Sequence, residues 1–86
     1  MDNQELHTFI QELIIEAAEL DPMTIDPDQD LSALGLDSLA GLEVAVNLEK
    51  KFKFKIPPTR YEEMITISGI SNIVNELREQ KETVTG

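Results

Sequence analysis

From Asn3 to Leu20 the apolar residues Leu6, Phe9, Ile10, Leu13, Ile14, Ala17 and Leu20 recur at intervals of three and four. That spacing puts them on one face of an amphipathic helix and excludes a strand, whose side chains alternate. Asp2 followed three residues later by Glu5 fits a capping box, because the Asp carboxylate accepts from amides that have no intrahelical partner. The sequence thus predicts a first helix over Asn3 to Leu20, ended by Asp21-Pro22. The chain has 86 residues, and its only aromatic side chains are Phe9, Phe52, Phe54 and Tyr61. Its core must therefore come mostly from aliphatic residues, which suits packed helices, and a chain this short has room for one core.

The stretch from Asp21 to Asp37 holds Pro22, Pro27, Gly35 and five aspartates, with Ile25, Leu31 and Leu34 as isolated apolar residues. A connection this long in a compact domain needs pinning by its own side chains, so these three are expected to be buried, with the loop strapped over the core. Asp37 is a good N-cap for a second helix to about Phe52. Its apolar residues span more than one stripe. Val44, Ala45, Leu48 and Phe52 share an arc of roughly 100°, while Leu39, Leu42 and Val46 lie on the adjoining arc. Two readings of the second group stand open: a partner-facing surface, or side chains tucked beneath the loop.

Phe52-Lys53-Phe54-Lys55-Ile56 alternates like a strand, but no second strand-like run exists to pair with it, so it reads as the exit of the helix. Pro57-Pro58 stops continuation. Thr59 with Glu62 predicts a capping box for a short third helix of about two turns carrying Tyr61, Met64 and Ile65. Thr66 or Ser68 then caps a last helix with Ile67, Ile70, Ile73, Val74 and Leu77 as its buried stripe. The reading is all-α: a four-helix bundle with a long loop between helices 1 and 2 and a short third helix. It is one domain over residues 1–86, with a core of about 3–80 and a tail at 82–86 expected to fray.

Seventeen acidic against seven basic residues give a formal charge of -10, which repels phosphate backbones and anionic headgroups and argues against nucleic-acid and membrane partners. No apolar run is longer than three residues, as in Leu13-Ile14-Ile15, which is too short for a signal peptide or membrane span, so a soluble cytoplasmic protein is expected. With no cysteine, a disulfide scaffold, a zinc ribbon and a thiol nucleophile are all absent, and any sulfur chemistry needs a thiol attached after translation.

Few residues are left to carry chemistry. His7 is the only histidine and reads as a solvated or half-buried helix residue rather than a catalytic base. Asp26, Asp28, Asp30 and Asp37 fall on positions one, three, five and twelve of a calcium-binding loop, the alternative reading of this chain as a small acidic calcium-binding module. The pattern breaks where geometry is strict: Leu31 stands where Gly makes the sharp turn, Pro27 is at position two, and the last ligand is Asp rather than Glu. Without calcium these aspartates are turn formers. The third candidate is Gly35-Leu36-Asp37-Ser38-Leu39. A Ser just inside a helix start sits beside free backbone N–H groups and the positive end of the helix dipole, a setting that accommodates a phosphodiester.

The whole arrangement resembles the acyl carrier protein family over roughly residues 5 to 80. The resemblance rests on Leu34-Gly35-Leu36-Asp37-Ser38-Leu39, followed at the family's spacing by Glu43, Leu48-Glu49, Phe52, Ile56-Pro57 and Thr66-Ile67. It implies that Ser38 is the attachment point of 4'-phosphopantetheine, transferred from coenzyme A by a phosphopantetheinyl transferase, with Asp37 as motif residue and helix cap. The arm's terminal thiol then carries acyl groups as thioesters, which explains a chain without cysteine. It further implies a monomeric, non-catalytic carrier with no metal. Its partners are the acyl-loading and acyl-processing enzymes of a fatty acid, polyketide or related pathway, and they meet it at Leu39, Leu42, Glu43 and Val46.

Two departures stand out. Carriers of bacterial fatty acid synthesis usually keep acids along the second helix, whereas Ala40 and Gly41 follow Leu39 here, and Lys50, Lys51, Lys53 and Lys55 cluster at its end. The lysines either offset the helix dipole and shield Phe52 and Phe54, or select a different partner set. Gly41 costs about 1 kcal/mol relative to Ala within a helix, which points to close packing or to a mobile helix start. The motif also lacks the Gly-Gly of many peptidyl carriers, which favours an acyl cargo.

Overall fold

The computed structural model describes residues 2–84, with side chains described through Glu79. Three α-helices form: α1 (Asn3–Ala17), α2 (Ser38–Phe52) and α3 (Ile67–Val84). A 3-10 turn at Leu31–Leu34 interrupts the first loop, and a 3-10 helix at Pro58–Glu63 takes the place of the expected third helix. Helix α1 packs against both α2 and α3, and the 3-10 helix packs against α3. The described residues contain no strand.

Helix α1 starts as its sequence requires, with the Asp2 carboxylate accepting from Glu5 N at 2.8 Å. It stops at Ala17 rather than continuing to Leu20. Glu19 adopts a left-handed conformation, φ 55°, its N–H donates to Glu16 O, and Leu20 N donates to Ile15 O. This double closure satisfies the last carbonyls and turns half-buried Leu20 back over the helix end. The proline at 22 is not what ends the helix.

The long loop is pinned as its isolated apolar residues predicted. Ile25 and Leu31 are buried, Leu34 is half-buried, and Leu36 joins them in the core. Backbone groups are tied as well: Ile25 N donates to the Gln11 side chain, Leu31 N to Ile65 O, and Ser68 N to Pro27 O. These bonds leave few unsatisfied polar groups under the strap. Gly35 closes the 3-10 turn at φ 100°, a conformation that glycine adopts without steric cost.

Val44, Ala45 and Leu48 of α2 are buried against Leu6, Ile10 and Ile14 of α1. Ile67, Ile70, Ile73 and Val74 of α3 complete the core, with Leu77 half-buried at its margin. Phe52 is half-buried, edge-on to Phe9 at 6.2 Å between centroids and stacked with Phe54 at 5.7 Å. Past it, Lys53 turns left-handed and Ile56 folds into the core, where its N–H donates to the Glu49 carboxylate at 2.7 Å. The alternating run is therefore a helix exit.

The expected Thr59–Glu62 capping box does not form. Pro57 is the N-cap and Pro58 opens the 3-10 helix, so Thr59 is already inside it and no side chain caps the start. Arg60 fastens this segment, pairing with Glu63 and, at 2.6 Å, with Glu76 of α3. Thr66 caps α3 by accepting from Gly69 N at 3.0 Å. The backbone of α3 is helical through Val84, and the rest of the tail expected to fray, Thr85 and Gly86, lies outside the described residues.

Candidate functional site

The start of α2 is fixed by Asp37. Its backbone is extended, its carboxylate accepts from Ala40 N at 2.8 Å, and its carbonyl accepts from Gly41 N at 2.9 Å. The amides of Ser38 and Leu39 precede the first intrahelical bonds and point out of the helix end, where the partial positive charge of the dipole gathers. Ser38 is the first residue of α2 and is exposed. Its hydroxyl makes no hydrogen bond within the described residues. An exposed hydroxyl is thus presented at a capped helix start beside two amide donors.

A surface cavity of about 390 Å³ opens beside it. One wall is α2, with Asp37, Ser38, Gly41 and Leu42; the other is the 3-10 helix and the chain beyond it, with Tyr61, Met64 and Ile65; Leu36 also lines it. The far wall is held by the Leu31–Ile65 backbone bond and by the Arg60 pairs to Glu63 and Glu76. The Arg60 guanidinium holds the Glu63 carboxyl below its ordinary value, and the two carboxylates hold the Arg60 proton more firmly in return. Sequence reasoning placed Tyr61, Met64 and Ile65 on a helix but did not bring them to Ser38. No local signal could have done so, because the approach is made by bonds between distant segments.

Leu39, Leu42 and Val46 are 69%, 44% and 43% exposed, and Glu43 between them is exposed. They do not tuck under the loop. With Ile65 they are four of the five large apolar side chains exposed among the described residues. Gly41 is not a close-packing glycine, since a Cβ there would meet nothing within 4 Å.

His7 is half-buried on α1, away from Ser38, and borders a groove with Asn3, Gln4 and Thr24. The loop aspartates act as turn formers: Asp26 accepts from Asp28 N at 2.8 Å, and Asp30 accepts from both the N–H and the hydroxyl of Ser32, which holds its carboxyl below the ordinary value. Asp28 accepts from the Ser68 hydroxyl, and Asp37 is spent on the helix cap. No group of three or more metal-ligating side chains is assembled among the described residues. No described helix is long and apolar enough to cross a membrane.

The profile of the family described as phosphopantetheine attachment site matches residues 8–74. An acyl carrier protein of Campylobacter curvus is 30% identical over 69 residues, covering 79% of this chain and 90% of the relative. The acyl carrier protein of a Picosynechococcus strain is 29% identical over 75 residues, covering 86% and 93%. A non-reducing polyketide synthase of Monascus ruber is 31% identical over 67 residues, 78% of this chain but 2% of that much longer protein. The prosthetic group of the family is phosphopantetheine, and the features present fit it: an exposed hydroxyl for the ester, free amides for a phosphate, and an apolar recess beside them. The helical fold and the match across most of its length place this chain in the acyl carrier protein family.

Proposed function

We propose that this chain is a non-catalytic carrier in which Ser38 holds 4'-phosphopantetheine and the arm's thiol holds acyl groups as thioesters. The observation that carries the reading is the exposed Ser38 hydroxyl at a helix start whose geometry is set by the Asp37 cap. In the loading step a phosphopantetheinyl transferase joins Ser38 Oγ to the phosphopantetheine phosphorus of coenzyme A. The pyrophosphate linkage breaks, the nucleotide half leaves, and the hydroxyl proton passes to the transferase. The Ser38 and Leu39 amides and the helix dipole favour the resulting negative phosphodiester. The apolar recess beside Ser38 offers cover to the arm or the start of its cargo. The chain's partners are the acyl-loading and acyl-processing enzymes of a fatty acid, polyketide or related pathway. They approach over Leu39, Leu42, Glu43 and Val46. The chain acts as a single-domain monomer in the cytoplasm.

Incubation with coenzyme A and a broad-specificity transferase should raise the intact mass by one phosphopantetheinyl group. Ser38→Ala should abolish the increase while leaving the circular dichroism spectrum and melting temperature nearly unchanged. A mass increase that persists in Ser38→Ala would overturn the assignment.

A further inference from the structure

The first 49 residues contain twelve carboxylates and no lysine or arginine, and four of the seven basic residues of the chain then fall within six positions, Lys50, Lys51, Lys53 and Lys55. Helix α2 therefore has ends of opposite charge about 20 Å apart. At its start stand Asp37 and the acidic loop. At its end, and just beyond it, stand the lysines. A helix terminus asks for one or two cations to meet its dipole, and Lys51 has a separate task, its ammonium lying 5.7 Å from the centre of the Phe9 ring. Shielding of Phe52 falls instead to Arg78, 5.3 Å from that ring.

Lys50 and Lys55 are exposed and make no ion pair within the described residues. Lys50 lies on the same helical face as Leu39, Leu42 and Val46, at spacings of three, four and four. That face runs into a cavity of about 300 Å³ lined by Val46, Glu49, Lys50, Lys53, Phe54 and Lys55. Glu49, the only acid there, turns a carboxylate oxygen onto the Ile56 N–H. Phe54 stacks on Phe52 and gives the cavity an aromatic wall.

We propose that this end of α2 docks an acidic protein surface, one that inserts an apolar side chain between Phe54 and Val46 and sets carboxylates against Lys50 and Lys55. The inference rests on the reading of α2 as the partner-facing helix and adds the charge of the partner. Although the chain as a whole is strongly negative, charges more than about 8 Å away are largely screened at physiological salt, so the local lysines decide the contact. A flat anionic bilayer would bring the carboxylates of the neighbouring surface into range, whereas a protein knob entering the cavity meets three lysines and, of the acids, Glu49 alone.

The test is amide chemical-shift mapping at physiological salt, run on the protein before and after incubation with coenzyme A and a transferase. The probes are a short peptide of glutamates interspersed with Leu and Phe, its counterpart with every Glu replaced by Lys, and phosphatidylglycerol vesicles. The acidic peptide should shift Val46, Lys50, Phe54 and Lys55 saturably, and Lys50→Glu with Lys55→Glu should weaken it about tenfold or more. Lys50→Gln with Lys55→Gln, which keeps the fold if charge reversal disturbs the helix end, should weaken it to a lesser extent. Equal binding to the double variants, shifts confined to the loop, a preference for the lysine peptide at this cavity, or vesicle binding in place of peptide binding would each overturn the proposal. Intact mass on the same samples separates the two readings: loading of Ser38 without peptide binding defeats only the docking site, and peptide binding without loading defeats only the carrier function.

Discussion

The two faces of α2 are built from the same kinds of residue and have opposite fates. Val44, Ala45 and Leu48 are buried against α1, whereas Leu39, Leu42 and Val46, one arc further round the same helix, stay in water. Hydrophobicity alone does not separate them. What separates them is how many neighbours a bundle this small can supply. Helix α1 covers one face of α2, and the 3-10 helix reaches only the other side of the cavity beside Ser38, so the second arc has no cover left. Under the proposed function, this apolar surface left bare beside Ser38 is where the carrier would meet its enzymes.

The largest effect that could break this comparison is in the core. Leu48→Ala should cost about 2 to 5 kcal/mol, because a fully buried leucine leaves a cavity that its neighbours refill only in part. Leu42→Ala should cost about 1 kcal/mol or less while slowing transfer of the arm or its cargo by partner enzymes. Urea unfolding of both variants decides the matter: equal losses would mean that Leu42 serves the fold as Leu48 does.

Next in size come two glycines, Gly41 in the wall of the cavity and Gly69 at the start of α3, where it meets the 3-10 helix. A Cβ at Gly69 would land on the Glu63 carbonyl oxygen, so Gly69→Ala must push the 3-10 helix off the start of α3. It should cost about 1 to 3 kcal/mol, as overpacking does. Gly41→Ala has open space and sits within a helix, and it should stabilise by about 0.5 to 1 kcal/mol. Thermal melts of the pair should move in opposite directions. If Gly41→Ala also lowers the melting temperature, the start of α2 requires a freedom that its static geometry does not display.

These contrasts also mark how far the sequence could be read. The period of α1, the pinning of Ile25 and Leu31, and the Asp37 cap were legible because each depends on residues a few positions apart, or on the cost of leaving an isolated apolar side chain in a loop. The exposure of Leu39, Leu42 and Val46 was legible only as an excess of apolar arc. The end of α1 was not legible, because the closure runs through a left-handed Glu19, a residue type that carries no signal for that conformation. The cap of the third helix was misread at Thr59 because Thr59 and Glu62 have the right spacing, yet Pro58 takes the first helical position and moves the start upstream. The wall facing Ser38 was hidden for a different reason: the Leu31–Ile65 and Ser68–Pro27 bonds join segments more than thirty residues apart.

Smaller effects should come from the charges around these faces. With a formal charge of -10 the folded chain repels itself more than the expanded one, so raising sodium chloride from low to physiological levels should raise the melting temperature by a few degrees. The exposed Arg60 pairs oppose this only weakly, since surface ion pairs are worth little and are screened as well. A melting temperature that falls steadily with salt would show that the Arg60 pairs outweigh the repulsion. The Lys50 to Lys55 group refines the test. Lys50→Glu with Lys51→Glu should enlarge the salt response and, if the lysines select partners, improve use of the chain by enzymes that accept carriers with acidic second helices.

The smallest effect is expected at acid pH, and it distinguishes the 3-10 helix from the first loop. Glu63, beside Arg60, and Asp30, bonded to Ser32, both hold their carboxyls below the ordinary values of 4.5 and 3.8. Each binds its proton less readily when folded than when unfolded. The unfolded chain therefore takes up more protons as pH falls, so what these groups contribute is complete above the ordinary value and is lost as pH drops through the lowered one. Protonation of the remaining carboxylates works the other way by relieving repulsion. Stability should thus hold or rise slightly from neutral pH to about pH 5 and decline below the ordinary values of Glu63 and Asp30. Removing either carboxyl should flatten that decline. Melts of Glu63→Gln and Asp30→Asn between neutral pH and pH 3 provide the check. Because Arg60 ties the 3-10 helix to α3, only Glu63→Gln should also alter the amide shifts of Tyr61, Met64 and Ile65 along the wall facing Ser38. Shifts at that wall in Asp30→Asn instead would mean that the loop, and not the Arg60 pairing, sets its position.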